Sequence, residues 1–139
     1  MIAFDTDVLT EILLGNARLI ERATAIPPSE QGIPVVVVEE IIRGRLNAIR
    51  HAEAPKARLT VTRAYELFVQ SLTDFQRLTI LVYTSGADSL FHQWRASKVR
   101  VSTHDLRIAA ICIDHAATLV SRNRRDFDQV PGLSVQYWA

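Results

Sequence analysis

Four acidic residues, far apart along the chain, stand where a fold can bring them together. Asp5 ends the apolar run 1–4, Glu40 follows a β-branched run, and Asp126 comes a few residues after another apolar segment. Asp105 belongs with them because it lies near the start of a strongly apolar helical segment. In open parallel sheets, sites form beyond the carboxyl ends of the strands. The positions of these residues therefore predict an acidic site at one edge of a sheet.

The residue types at this predicted site indicate the chemistry. Carboxylates gathered at one edge repel one another, so their pKa values rise unless a cation neutralises them. The chain has a single cysteine and no His-x-x-x-His pair, which argues against zinc, whereas oxygen ligands suit Mg²⁺ or Mn²⁺. Such an ion activates water and shields phosphate charge, as phosphodiester hydrolysis requires.

The elements that must position these acids alternate between strand and helix patterns. Short apolar or β-branched runs predict five strands, at residues 1–4, 33–38, 78–83, 117–120 and 133–137. Helical patterns fill the gaps between them. This alternation predicts an α/β sandwich with a central parallel sheet and right-handed crossovers, in one domain over residues 1–139.

Two predicted helices differ in how they pack. The helix predicted at 57–72 has one apolar stripe, formed by Val61, Tyr65, Phe68 and Leu72, and is expected to pack through that face. The helix that begins near Thr103 is apolar nearly all round, so we expect it to lie buried against the sheet, with Cys112 in the core.

Composition limits the possible classes of protein. The chain has 139 residues, of which 48% are hydrophobic and 22% charged, and this is typical of a globular domain. A net charge of +1 gives no strong attraction to nucleic acid or membrane surfaces. One cysteine excludes an intrachain disulfide, the apolar runs are too short to span a bilayer, and the N-terminus lacks a signal-peptide pattern. We therefore expect a cytoplasmic protein with no membrane partner.

Four segments carry a family resemblance. They are residues 4–9 (FDTDVL), 38–44 (VEEIIRG), 103–110 (THDLRIAA) and 119–127 (LVSRNRRDF). In order, spacing and position, these segments resemble the motifs of the PIN-domain nucleases, and among them the VapC-type toxins of bacterial toxin–antitoxin pairs. The resemblance covers nearly the whole chain.

The resemblance implies a three-layer fold with a five-stranded parallel sheet and a Mg²⁺- or Mn²⁺-dependent endoribonuclease activity. It makes Asp5, Glu40, Asp105 and Asp126 the catalytic, metal-binding residues. It also implies an RNA substrate, inhibition by a small antitoxin protein, and a homodimer. Where some relatives place an acid this chain has Asn123, so either Asp126 or a water held by Asn123 must complete the site.

Neighbouring residues are candidates for supporting roles. Thr6 is expected to hold Asp5 or a metal-bound water, or to make a capping contact. Asp7 stands where the family commonly has Asn and is expected to cap the first helix, with contact to the ion through water as the alternative. Gly44, a glycine inside a helix, suggests close approach of backbone or ligand.

Basic side chains near the acids suggest a path for RNA. We expect Arg43, Arg122 and Arg124 to line it, with solvated surface charges as the alternative interpretation. His104 neighbours the acids, and a surface histidine is the favoured interpretation over a proton-transfer group.

Two other functions fit parts of the sequence. The Asp5-Thr6-Asp7 segment is also similar to the opening of haloacid-dehalogenase-like phosphatases, with Asp5 as nucleophile and Asp7 as acid. Neither lysine of the chain follows a predicted strand, which argues against that activity. The remaining alternative is a non-catalytic module that binds an antitoxin or RNA through a vestigial acidic cluster.

Overall fold

A parallel sheet forms the centre of the computed structural model, which describes residues 1–138. The five strands within these residues are β1 (Ile2–Phe4), β2 (Gln31–Pro34), β3 (Ile80–Leu81), β4 (Thr118–Ser121) and β5 (Val135–Tyr137). Their spatial order is β3-β2-β1-β4-β5, and every neighbouring pair is parallel. This arrangement confirms the predicted α/β fold with a five-stranded parallel sheet.

Helices make the crossovers that parallel strands require. In residues 1–138 they are α1 (Thr6–Leu13), α2 (Ala17–Thr24), α3 (Val35–Ala52), α4 (Val61–Gln76), α5 (Ser85–Ala96), α6 (Thr103–Asp114) and α7 (Arg124–Phe127). None of the helices in the described part of the chain has the length and apolar character needed to cross a membrane.

The central strand β1 fixes the position of the first acid. Ala3 pairs with residues of both neighbouring strands, Gly32 of β2 and Leu119 of β4. The backbone N–H of Asp5 then donates to the carbonyl of Val120 at 2.9 Å. Asp5 is therefore held at the carboxyl end of the sheet by the last hydrogen bond of a central strand.

Helix α6 is buried as its sequence predicts. Six of its 12 residues have no exposed surface, namely Leu106, Ile108, Ala109, Ala110, Ile111 and Cys112. Burial raises the pKa of the Cys112 thiol to about 12, and the neighbouring Asp5 charge acts in the same direction. The thiol therefore stays protonated and serves as a core side chain, as expected.

The predicted strand 33–38 is wrong in its second half. Strand β2 ends at Pro34, and the four valines that follow form the first turn of helix α3. Pro34 occupies the N-cap, where its missing N–H removes no helical hydrogen bond. Val36 and Val37 are buried against the core, so tertiary packing outweighs the strand preference of β-branched residues. Glu40 therefore lies on a helix and does not directly follow a strand.

The predicted helix 57–72 is shifted, and its apolar stripe is not the buried face. Helix α4 begins after Thr60, whose hydroxyl accepts from the N–H of Arg63 at 3.1 Å. Tyr65 remains 52% exposed and Leu72 44% exposed. The face that packs inward carries the buried residues Ala64, Ser71 and Phe75.

We expect that shortening a side chain of α6 destabilises the whole fold. Ile111→Ala removes buried methyl groups and leaves a cavity, which lowers the free energy of unfolding by about 2–5 kcal/mol. Leu14→Ala is the control, because Leu14 is 73% exposed. Urea unfolding of both variants checks this, and equal stability of the two would contradict the assignment of α6 to the core.

Candidate functional site

Asp5 is the most enclosed of the four acids. Its side chain begins α1 as the N-cap and accepts from the N–H of Thr6 at 2.8 Å. The hydroxyl of Ser121, at the end of β4, donates to its other carboxylate oxygen at 2.7 Å. The pKa of Asp5, which is only 6% exposed, is raised to about 7. Burial is the main cause and the nearby charges of Asp7 and Asp105 act in the same direction, whereas the hydrogen bonds from Ser121 and Thr6 oppose the rise.

Asp7 does not cap the first helix, contrary to expectation, because Asp5 takes that position. Asp7 lies in the first turn of α1, where one carboxylate oxygen accepts from the N–H of Val8 at 2.6 Å. Its other oxygen accepts from the backbone N–H of Arg122 at 3.2 Å. Asp7 therefore ties α1 to the segment that follows β4.

Glu40 faces α1 from the second turn of α3. The Thr6 hydroxyl donates to Glu40 Oε2 at 3.0 Å, so Thr6 holds Glu40 through its side chain and Asp5 through its backbone. Burial raises the pKa of Glu40, and the Thr6 hydrogen bond and His104 oppose that rise. Thr6 therefore connects two of the predicted ligands.

Asp105 and Asp126 meet through Asn123. The Asn123 amide Nδ2 lies 2.9 Å from Asp126 Oδ2 and 3.4 Å from Asp105 Oδ2. Its Oδ1 accepts from the backbone N–H of Asp126 at 3.3 Å, as the N-cap of α7. This capping bond directs the amino group of Asn123, and not its oxygen, toward the two carboxylates.

The charge of Asp126 contributes to the raised pKa of Asp105. Burial is the main cause that raises the pKa of Asp105, and the charges of Asp126 and Asp7 add to it, whereas Ser102 and His104 oppose it. The charge of Asp105 in turn raises the pKa of Asp5 and Glu40. The predicted acids are thus electrically coupled although they come from four segments of the chain.

The fit of this group to a divalent cation is mixed. Hard oxygen donors that raise one another's pKa are the type that Mg²⁺ and Mn²⁺ bind. As arranged within residues 1–138, however, no three His, Cys, Asp or Glu side chains form a group that could hold an ion. The side chains are instead engaged with Ser121, Thr6 and Asn123. Donor type and electrostatics fit a cation, and binding would require these carboxylates to come closer together.

His104 is not an ordinary surface histidine. Its side chain is 29% exposed and lies between two glutamates, with Nε2 at 3.5 Å from Glu39 and Nδ1 at 3.8 Å from Glu40. Apart from its place next to Asp105, nothing in the sequence indicated this position of His104.

The three predicted RNA-binding arginines have different surroundings. Arg43 pairs with Glu39 at 2.5 Å on the exposed surface of α3. Arg122 and Arg124 line a cavity of about 320 Å³ together with Tyr137 and Trp138, and the Arg124 guanidinium lies 4.2 Å from the centre of the Tyr137 ring.

Ser121 and the aromatic residues of this cavity were missed by sequence reasoning. Ser121 is completely buried and directly follows apolar strand residues, which is the signal that could have identified it. Tyr137 and Trp138 lie at the end of the edge strand β5, where nothing in the motifs indicated a role.

Comparison with solved structures shows the same fold at low sequence identity. The chain is 22% identical to a chain of DNA-bound VapBC from Salmonella typhimurium, with 99% of this chain and 98% of that chain covered and a TM-score of 0.77. FitAcB from Neisseria gonorrhoeae matches at 18% identity, 97% and 96% coverage and a TM-score of 0.77. VapBC2 from Rickettsia felis, bound to a DNA fragment from its promoter, matches at 19% identity, full coverage of both chains and a TM-score of 0.73.

No protein-family model matches the sequence, and no curated protein does either. At these identities the structural matches establish the fold. The chain therefore has the fold of chains in these complexes over essentially its full described length.

The raised pKa of Asp5 predicts a pH-dependent stability. Asp5 binds its proton more tightly in the folded protein, so its stabilising contribution is present below its unfolded pKa and is lost as the pH rises through about 7. Relative to Asp5→Asn, the wild type should lose about 1.4 kcal/mol per pH unit between about pH 4 and pH 7. Urea unfolding of both proteins in cation-free buffer measures the difference. If the difference in unfolding free energy between the two proteins stayed constant across that range, the result would contradict a raised pKa of the buried Asp5 carboxyl.

Proposed function

We propose that this chain is a PIN-domain toxin of the VapC type and acts as a Mg²⁺- or Mn²⁺-dependent endoribonuclease. One observation carries the proposal: acids from separate segments come together at the carboxyl edge of the sheet, where burial and neighbouring negative charges raise the pKa of Asp5, Glu40 and Asp105. The fold shared with chains of toxin–antitoxin complexes supports it.

The proposed ion ligands are Asp5, Glu40, Asp105 and Asp126. A bound cation supplies a more acidic water and a counter-charge for the phosphate. The chain's own contribution is the buried, low-dielectric wall around Asp5, which strengthens each electrostatic interaction there. Hydrolysis by water needs no protein nucleophile.

Neutral hydrogen-bond donors set the orientation of these ligands. Ser121 fixes one oxygen of Asp5, and the Thr6 hydroxyl fixes one oxygen of Glu40. The side-chain amide Nδ2 of Asn123 donates to both Asp105 and Asp126. Such outer contacts typically change metal affinity or activity about 10–100-fold when they are removed.

RNA is the proposed substrate, and exposed arginines supply the attraction that the net charge of +1 does not. Arg122 and Arg124 line the cavity at the end of β5, and Arg43 lies on the same helix as Glu40. These side chains would bind phosphates on either side of the acids. We place the activity in the cytoplasm, where RNA is available.

A small antitoxin protein is the proposed inhibitor, and a homodimer is the proposed assembly. The matched structures include a toxin–antitoxin complex from Klebsiella pneumoniae and FitAB bound to DNA, which supports a protein partner here. Leu13 and Leu14 at the end of α1 are 39% and 73% exposed and offer an apolar surface for a partner helix.

The phosphatase alternative gains no support from the site. Lys56 and Lys98 follow helices α3 and α5, away from the strand ends where a phosphate-binding lysine would be needed. Asp7, the acid of that mechanism, accepts two backbone N–H groups.

We expect Asp5→Asn to abolish cleavage while the fold is kept. The variant preserves the capping geometry but removes a charged ligand, so Mg²⁺-dependent cleavage of total RNA should fall by about 100-fold or more. Glu53→Gln is the matched control, because Glu53 is an exposed carboxylate at the end of α3. Undiminished cleavage in Asp5→Asn would overturn the ligand assignment. Tight RNA or antitoxin binding without any metal-dependent cleavage by the wild type would establish the non-catalytic module instead.

Thr6 tests the positioning of Glu40. Thr6→Val keeps the side-chain shape but removes the hydroxyl that donates to Glu40, so we expect about 10–100-fold lower activity and a weaker apparent affinity for Mg²⁺. Thr6→Ser restores the hydroxyl and should restore both quantities. Full activity in Thr6→Val would show that the hydroxyl has no role in positioning Glu40.

A further inference from the structure

A cavity next to the acidic edge is not used by the proposed hydrolysis. Its volume is about 230 Å³, and it is lined by Val35, Val36, Glu39, Tyr83 and Arg107. The cavity lies near the proposed ligand Glu40, since His104 is 3.5 Å from Glu39 of the cavity lining and 3.8 Å from Glu40. A group bound there would therefore lie close to the proposed ligands.

Arg107 has a donor that the protein leaves unused. Its Nε is buried and has no hydrogen-bond partner within residues 1–138. The guanidinium lies 5.0 Å from the centre of the Phe91 ring and 6.0 Å from that of Tyr83, so aromatic rings hold it in place. A buried N–H without an acceptor is destabilising, and a ligand that brings an acceptor would remove that penalty.

The lining chemistry favours a nucleobase over a phosphate. Glu39 brings a carboxylate to the cavity, which disfavours an anion there and offers an acceptor in addition to its contacts with Arg43 and His104. Val35 and Val36 give apolar surface, and Tyr83 gives an aromatic ring. Proteins recognise unpaired RNA bases with these groups, through stacking and hydrogen bonds to the base edges.

We propose that this cavity is a base-binding subsite that selects guanine in a single-stranded RNA substrate. The proposal rests on the proposed ribonuclease function and adds the nucleotide preference. Guanine presents two acceptors, O6 and N7, which suit the guanidinium of Arg107. Its N1–H and amino group are donors for the carboxylate of Glu39. Adenine instead places an amino donor beside N7, and cytosine offers Glu39 a single amino group.

Binding of mononucleotides tests the subsite without any cleavage. The four ribonucleoside 5′-monophosphates and inorganic phosphate are titrated into the wild type in cation-free buffer, and the NMR resonance of Arg107 Nε–H is followed. We expect the guanine nucleotide to shift this resonance and to bind about 10-fold more tightly than the adenine nucleotide. Equal shifts with all four nucleotides would overturn guanine selection, and an equal shift with inorganic phosphate would show an anion site.

Variants separate recognition from folding. Arg107→Met keeps an apolar stem over the aromatic rings and should abolish the preference for the guanine nucleotide. Arg100→Met is the control, since Arg100 is exposed in the turn between α5 and α6. Arg107→Lys keeps the charge and loses the paired donors, so it should bind the four nucleotides with nearly equal affinity. Retained guanine preference in Arg107→Lys would contradict the proposed recognition.

Cleavage of a randomised single-stranded RNA pool connects the subsite to the substrate. The wild type should show guanine at one fixed position relative to the cut, and Arg107→Met should lose this preference but still cleave. Cleavage without any guanine preference would refute the subsite while the nuclease function stands. Selective guanine-nucleotide binding without RNA cleavage would instead refute the nuclease function and, with it, the assignment of this cavity to an RNA substrate.

Discussion

Mutual repulsion between carboxylates at the carboxyl edge of the sheet is the constraint on which the site depends. The parallel arrangement brings Asp5 to the end of the central strand, and the helices that return to the sheet bring Glu40 and Asp105 to the same edge. Burial disfavours the charged form of Asp5 and is the main cause that raises its pKa to about 7, and the charges of Asp7 and Asp105 act in the same direction. The topology thus places carboxylates that repel one another at the same edge of the sheet.

The groups that surround the acids leave this repulsion largely in place. Each acid is held by a neutral donor: the Ser121 hydroxyl, the Thr6 hydroxyl or the Asn123 amide. Within residues 1–138, His104 is the sole basic side chain that comes within ion-pair distance of any of the four proposed ligands. A lysine or arginine partner would have neutralised the cluster and removed its affinity for a cation. The neutral donors orient the carboxylates and keep their negative charge available.

The sequence predicted the position of Asp5 better than it predicted the helices that lie beside it. Asp5 could be placed because an apolar run ending in an acid has few alternatives in a parallel sheet. The valines at the start of α3 could not be assigned to a helix, since a short apolar β-branched run has the same pattern in a buried strand and in a buried helix. Gly44 was expected to mark a close approach of backbone or ligand, and the backbone alternative is wrong, because nothing outside its own helix lies within 4 Å of a Cβ placed there. The close approach is at Gly32, where such a Cβ would lie 2.8 Å from the Leu81 side chain.

The sequence identity between this chain and proteins of the same fold is low because the fold restricts most positions only weakly. A core such as that of α6 requires apolar residues of suitable volume, and many combinations satisfy that requirement. Matches at 18% and 22% identity therefore keep TM-scores of 0.77. The acids are more restricted, because each must reach the same edge. Residues that line the neighbouring cavity, such as Tyr83 and Arg107, are restricted neither by the packing of the core nor by the position of the acids. We therefore expect a change at such a position to alter what the cavity binds and to leave the fold and the acidic cluster in place.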